Sequence, residues 1–148
     1  MAGAVGRALL LLFGLWLPGC VASLPPPFRD FRTPDVWHLR LMLLLEEALK
    51  EAGWQVRPGP TPQSISTHPR TIAHLLLYRV EGYVELVPID SHRVRLYVHA
   101  YRYYVLGRSR IGHLNAALSR RVAEPIGRAL RKRGFEPVPY ALRPITIE

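Results

Sequence analysis

One cysteine, Cys20, stands among 148 residues, so no disulfide can close within the chain and no zinc site built on cysteine pairs is available. Long apolar runs are also missing. The one apolar block of any length, Ala8 to Leu17, contains Gly14 and stops at Pro18, well short of the roughly 20 residues that a spanning helix needs. There is no phosphate-binding loop and no dinucleotide fingerprint. Gly107-Arg108-Ser109-Arg110-Ile111-Gly112 lacks the glycine two positions after the serine that a nucleophile elbow requires. The six histidines (His38, His68, His74, His92, His99 and His113) include no pair spaced to share a helix face, so neither a metal centre nor a cofactor is expected. Glu46, Glu47 and Glu51 fall together on one predicted helix, the pattern of a solvated face, and no enzymatic activity is expected.

Acidic residues are scarce in the second half. Residues 20–90 hold 7 basic and 8 acidic side chains, and residues 91–148 hold 12 basic and 3 acidic. By charge alone such a half attracts polyanions: nucleic acid, anionic lipid headgroups, lipopolysaccharide phosphate or acidic protein surfaces.

The first twenty residues narrow that choice. Arg7 followed by the apolar block, then Pro18 and Gly19, has the three-part layout of an export signal. Leu17-Pro18-Gly19-Cys20 resembles the lipobox of bacterial lipoproteins, with Pro18 where the family usually carries Ala, Ser or Thr. The resemblance implies removal of residues 1–19 and acylation of Cys20. Each buried methylene contributes about 0.8 kcal/mol, and two or more chains anchor stably where one does not. Val21 follows the cysteine, and by resemblance to enterobacterial sorting the absence of Asp there implies the outer membrane, with the domain facing the periplasm. No nucleic-acid partner is expected for an exported chain.

Residues 20–32, with Pro25-Pro26-Pro27, read as an extended tether, and residues 33–148 as a single domain. Thr33 is the expected helix cap, with Pro34 at the first helical position. Leu41, Leu44, Leu45, Ala48 and Ala52 recur at helical spacing up to Gly53, and Trp54-Gln55-Val56 reads as a short strand. Thr61 to Arg70 reads as a polar loop. A second helix is predicted from Leu114, Leu118, Val122, Ile126 and Leu130, with a kink or split at Glu124 ahead of Pro125. The segments "ALKEAGWQVRP" (Ala48–Pro58) and "ALRKRGFEPVP" (Ala129–Pro139) repeat one pattern of helix end, glycine, aromatic and short strand. Two helices packed alike on one sheet would account for it.

The strongest signal is a pair of alternating runs, with Leu76, Tyr78, Val80, Val84 and Leu86 on one face and Val94, Leu96, Val98 and Ala100 on the same face of the next strand. A hairpin turning at Ile89-Asp90-Ser91 would oppose Glu85 to Arg95, Tyr83 to Tyr97, Glu81 to His99 and Arg79 to Tyr101. The predicted fold is α+β, a two-layer sandwich of an antiparallel sheet with a long central hairpin and two main helices. The non-core face of the hairpin would carry Arg79, Tyr83, Arg93, Arg95, Tyr97, His99, Tyr101 and Tyr103, residue types that dominate interfaces. Helices could cover that face instead, but Arg93, Arg95 and Glu85 would be costly to bury unpaired.

Two resemblances concern the body. The helix ending before a glycine (Leu49 to Gly53), the long strands within Leu75 to Leu106 and a second helix look like the lipopolysaccharide-assembly lipoproteins of the outer membrane. That implies an accessory subunit docked on an envelope complex. Leu45-Glu46-Glu47-Ala48-Leu49, then Val80-Glu81-Gly82-Tyr83-Val84 and a strand ending in tyrosines, is similar to peptidoglycan-binding proteins of the CsiV type. The expectation is a non-enzymatic outer-membrane lipoprotein that binds an envelope protein complex through the hairpin face and the basic C-terminal helix. The alternative partner is an acidic glycan, peptidoglycan or lipopolysaccharide.

Overall fold

The computed structural model describes residues 26–139. The export signal, Cys20 and the first part of the tether lie outside the described residues. The elements in chain order are β1 (Phe28–Arg32), α1 (His38–Glu51), β2 (Val56–Pro58), β3 (Ile65–Thr67), β4 (Arg70–His74), β5 (Arg79–Asp90), β6 (Arg93–Tyr104) and β7 (Gly107–Arg110). There follow α2 (Ala116–Leu118), a π-helical turn (Ser119–Ala123), α3 (Glu124–Arg131) and β8 (Glu136–Pro137). All eight strands join one antiparallel sheet in the order β2-β3-β5-β6-β1-β8, with β4 beside β5 and β7 beside β6. The fold is α+β, with the helices on one face of the sheet.

Strict alternation along β5 and β6 creates that two-faced sheet. Val80, Val84, Leu86, Val94, Leu96, Val98 and Ala100 are buried, and they meet Leu41, Leu45 and Leu49 of α1 and Leu118, Val122, Ile126 and Leu130 of the second helix in one core. The hairpin opposes Arg79 to Tyr103, Glu81 to Tyr101, Tyr83 to His99 and Glu85 to Tyr97. This corrects the expected register by two residues. Asp90 causes the shift, because its carboxylate accepts the His92 amide at 2.8 Å and the Arg93 Nε at 2.8 Å. That moves the turn to Ser91-His92 and leaves a bulge between Pro88 and Asp90. A slip of two preserves which side chains share a face, so the predicted face survives while its partners change. Leu76 and Tyr78 precede the strand, and Leu76 is fully exposed in the turn before it.

Three further expectations are corrected. Phe28–Arg32, assigned to the tether, is a strand between β6 and β8 with Phe31 in the core, so the domain starts before residue 33. Thr33 does not cap α1: its amide donates to the His92 carbonyl at 2.8 Å and its hydroxyl to the Ser91 carbonyl at 3.1 Å, which holds it in the sheet. Helix α1 instead begins after Trp37, without a side-chain cap. The loop expected over 61–70 contains β3, whose Ile65, Ser66 and Thr67 are buried. The interruption expected at Glu124, ahead of Pro125, is present as a π-helical turn that ends at Ala123, with α3 beginning at Glu124. This wider turn absorbs the mismatch made by a proline with no amide to donate, and the chain runs on into α3.

The repeated segments behave alike. Gly53 (φ 78°) and Gly134 (φ 86°) stop their helices in the left-handed conformation. The amides of Trp54 and Phe135 then reach back to the carbonyls of Leu49 and Leu130 at 3.0 and 3.2 Å. Both aromatics are buried, and β2 and β8 become the two outer strands of the sheet.

Gly82 is the tightest point of the hairpin. A Cβ there would lie 2.6 Å from the His99 carbonyl oxygen and 2.7 Å from Ile72 Cδ1. Gly82→Val therefore forces β5 away from β6 and β4, and urea unfolding should register a loss of about 1–3 kcal/mol. A loss below about 0.5 kcal/mol would contradict this packing.

Candidate functional site: the open face of the sheet

Alternation places Arg79, Tyr83, Arg93, Arg95, Tyr97, His99, Tyr101 and Tyr103 on the sheet face opposite the core, as the sequence predicts. Both helices pack on the other face. Tyr97, His99, Tyr101 and Tyr103 are half-buried.

The centre of the face is aromatic. The Tyr83 and His99 rings stack at 4.4 Å with an interplanar angle of 4°, and Tyr97 lies 6.3 Å from His99. Guanidinium groups surround them. Arg57 sits 5.7 Å over Tyr83, Arg79 5.4 Å over Tyr103 and Arg108 5.4 Å over Tyr101. Arg79 was expected opposite Tyr101, so its cation–aromatic contact is kept with a different ring. Arg95 does not face Glu85; it grips Asp30 of β1 through two hydrogen bonds of 2.7 and 2.8 Å and lies 4.0 Å over the Phe28 ring. That bidentate pair raises the Arg95 pKa further. Arg93 belongs to the turn, paired with Asp90 at 2.7 Å.

Phe28, Asp30, Arg57 and Arg108 were missed by sequence reasoning. A signal existed for two of them: in Phe28-Arg29-Asp30-Phe31-Arg32 the residues alternate between faces, but the preceding prolines and three charges mask the strand pattern. Arg57 joins through the sheet order, which spacing does not reveal, and Arg108 through the short turn from β6 to β7.

Burial, followed by the Arg110 charge, lowers the His99 pKa to about 4, so His99 is neutral at neutral pH. Its Nε2 lies 3.4 Å from Glu85 Oε2 but makes no hydrogen bond, and this contact is no ion pair there. Burial also raises the Glu85 pKa, against a smaller lowering by the Ser64 hydroxyl. Tyr83 is raised too, by burial first and then by Tyr101 and Glu85. The face is thus an aromatic floor around a neutral His99, bordered by arginines and by the carboxylates Asp30, Glu81 and Glu85. It offers π-faces and directed donors to planar or ring-shaped groups that carry negative charge. Among the described residues, no group of three or more His, Cys, Asp or Glu side chains is placed to hold a metal ion.

The His99 environment has a pH signature. Below about 6.5 the unfolded chain protonates this histidine while the folded chain resists until about 4, so its contribution destabilises the fold progressively through that window. Glu85 acts oppositely, because its raised pKa lets the folded state take up a proton earlier. His99→Phe keeps a ring against Tyr83 and removes the histidine contribution. Thermal unfolding between pH 7 and pH 4.5 should then show a smaller acid loss in the variant than in the parent, and parallel curves would contradict the assignment.

No protein-family model matches this chain, and no curated protein matches it.

Proposed function

We propose that this chain is a non-enzymatic lipoprotein, anchored through acylated Cys20 on the periplasmic side of the outer membrane, whose domain binds a protein of the envelope through the open sheet face. The export layout and lipobox of residues 7–20 support the address. One observation carries the activity: tyrosines, a histidine and arginines are gathered on the side of the sheet that neither helix covers. Tyr and Arg supply large contact area and directed hydrogen bonds at low entropic cost, which is why they dominate the energetics of interfaces. Several arginines here are already held by carboxylates or over rings, so less side-chain freedom is lost on binding.

The basic C-terminal helix contributes less than its composition suggests. Lys132 and Arg133, just beyond α3, bind Glu51 at the end of α1, and Arg121 donates to the Ile72 carbonyl at 2.9 Å. The helix also lies on the other layer, so a partner on the tyrosine face meets it only by passing around a sheet edge.

A second reading is favoured by the stacked Tyr83–His99 pair with Arg57 above it, a pattern suited to sugar rings bearing carboxylate or phosphate. Peptidoglycan and lipopolysaccharide are the envelope glycans of that chemistry. Crosslinking and affinity purification from membranes separate the readings. The first expects one defined protein partner, weakened about 30-fold or more in a Tyr97→Ala, Tyr101→Ala double variant. Co-sedimentation with purified sacculi or lipopolysaccharide, with no protein recovered, would contradict it and support the second.

A further inference from the structure

Exposed apolar residues form two groups, Trp37, Leu39 and Leu43 at the start of α1, and a more exposed one at one end of the sheet. Leu76 is 99% exposed, Val105 96%, Leu106 98% and Leu77 76%. They occupy two neighbouring turns. One joins β4 to β5 and is closed by the Leu75 amide donating to the Tyr78 carbonyl at 2.9 Å; the other joins β6 to β7. Because Arg79 pairs with Tyr103 and Tyr104 with Gly107, both turns project from the same end of the hairpin.

Behind the aliphatic tip comes an aromatic layer. Tyr78 and Tyr104 bridge the two turns with their rings 5.6 Å apart. Cations follow next: Arg102 lies 5.9 Å from the Tyr78 ring, with Arg79 and Arg108 at the adjoining strand ends. No acidic residue occurs between 70 and 80 or between 101 and 123, and Glu81, the nearest, is paired with Arg79 at 2.7 Å. Aliphatic tip, tyrosine belt and arginine collar follow the order of polarity across the surface of an anionic bilayer, from acyl chains to headgroup phosphates.

We propose that the Leu75–Leu77 and Val105–Leu106 turns insert together into the surface of an anionic lipid bilayer, with Arg79, Arg102 and Arg108 at headgroup level. A protein partner fits this tip less well. The tip is convex and aliphatic, whereas protein hot spots are aromatic or arginine side chains received in pockets, with leucine under-represented. The direction of the chain agrees with a bilayer at this end. Strand β1 runs antiparallel to β6 with Phe28 opposite Tyr97, so its N-terminal end heads toward the end where β6 stops at Tyr104. Six residues from Cys20 to Pro26 reach at most about 20 Å. An acylated Cys20 and the tip can therefore meet the same leaflet, although insertion of the tip does not require the acyl chains.

The lone cysteine makes the test direct. In the full chain with Cys20→Ser, a single new cysteine (Leu76→Cys, Leu106→Cys or Ser91→Cys at the opposite end of the hairpin) is labelled with a polarity-sensitive fluorophore. Vesicles of mixed phosphatidylglycerol and phosphatidylcholine are then added. Labels at 76 and 106 should shift to the blue and lose most of their quenching by aqueous iodide, while the label at 91 keeps its own; pure phosphatidylcholine should give a smaller response. Labels at 76 and 106 that stay as quenchable as the one at 91, or protection of all three alike, would overturn insertion. An equal response on pure phosphatidylcholine would overturn the role of the arginines. Residues 1–19 enter from the same end, so the label at 76 is also read with Leu77→Asp and Val105→Asp together: insertion of the tip then loses most of its protection, and protection that stays unchanged would assign the effect to residues 1–19 and overturn insertion.

Discussion

Everything in this molecule depends on the two-sidedness of one hairpin. Twelve residues of β5 and twelve of β6 alternate between apolar and polar with period two, so closing the pair sorts every side chain to one of two faces. The apolar face becomes a core only because α1 and the helix from α2 to α3 lie across it. The polar face is left with tyrosines, a histidine and arginines. Core and candidate site are thus two readings of the same alternation.

The surrounding elements frame that hairpin almost symmetrically. On its β5 side β3 and β4 follow each other along one edge, and on its β6 side β1 and β7 do the same. The outermost strands, β2 and β8, each arrive from a helix through a left-handed glycine and a buried aromatic. The ends of the two helices are tied by Glu51, whose carboxylate is held below its usual range by hydrogen bonds from Lys132 and Arg133. Much of the basic surplus is spent inside this frame, on Asp30, Asp90, Glu51 and backbone carbonyls. Of the rest, Arg57, Arg102 and Arg108 lie over rings of the open face or beside the aliphatic tip, while Arg40, Arg128 and Arg131 stay on the helices.

The sequence made some of this legible and hid the rest, for physical reasons. The hairpin, its inner and outer faces and both helices followed from periodicity, and the echo of Gly53-Trp54 in Gly134-Phe135 correctly implied two helices packed alike. Register was not legible, because a carboxylate at residue 90 that binds the amide two residues on moves a turn without altering the hydrophobic pattern. Short strands were lost for a related reason: β1, β3 and β4 are three to five residues long and sit beside prolines, so alternation has little length in which to show. The π-helical turn was foreseeable only as a disturbance at Pro125, since a kink and a widened turn both answer a missing amide. The partner residues Asp30 and Arg57 came from strands far away in sequence, and Arg108 from the short strand that follows β6.

In the proposed role, the tyrosine face is open in the isolated protein and covered when the protein is at work. Hydroxyl-radical footprinting measures this directly, by comparing oxidation of Tyr83, Tyr97 and Tyr101 in the purified chain with oxidation in intact envelopes. These rings should be modified in the purified chain and protected in the envelope, while Leu43 and Trp37, exposed on the helix side, change little. Equal oxidation of the tyrosines in both states would contradict it.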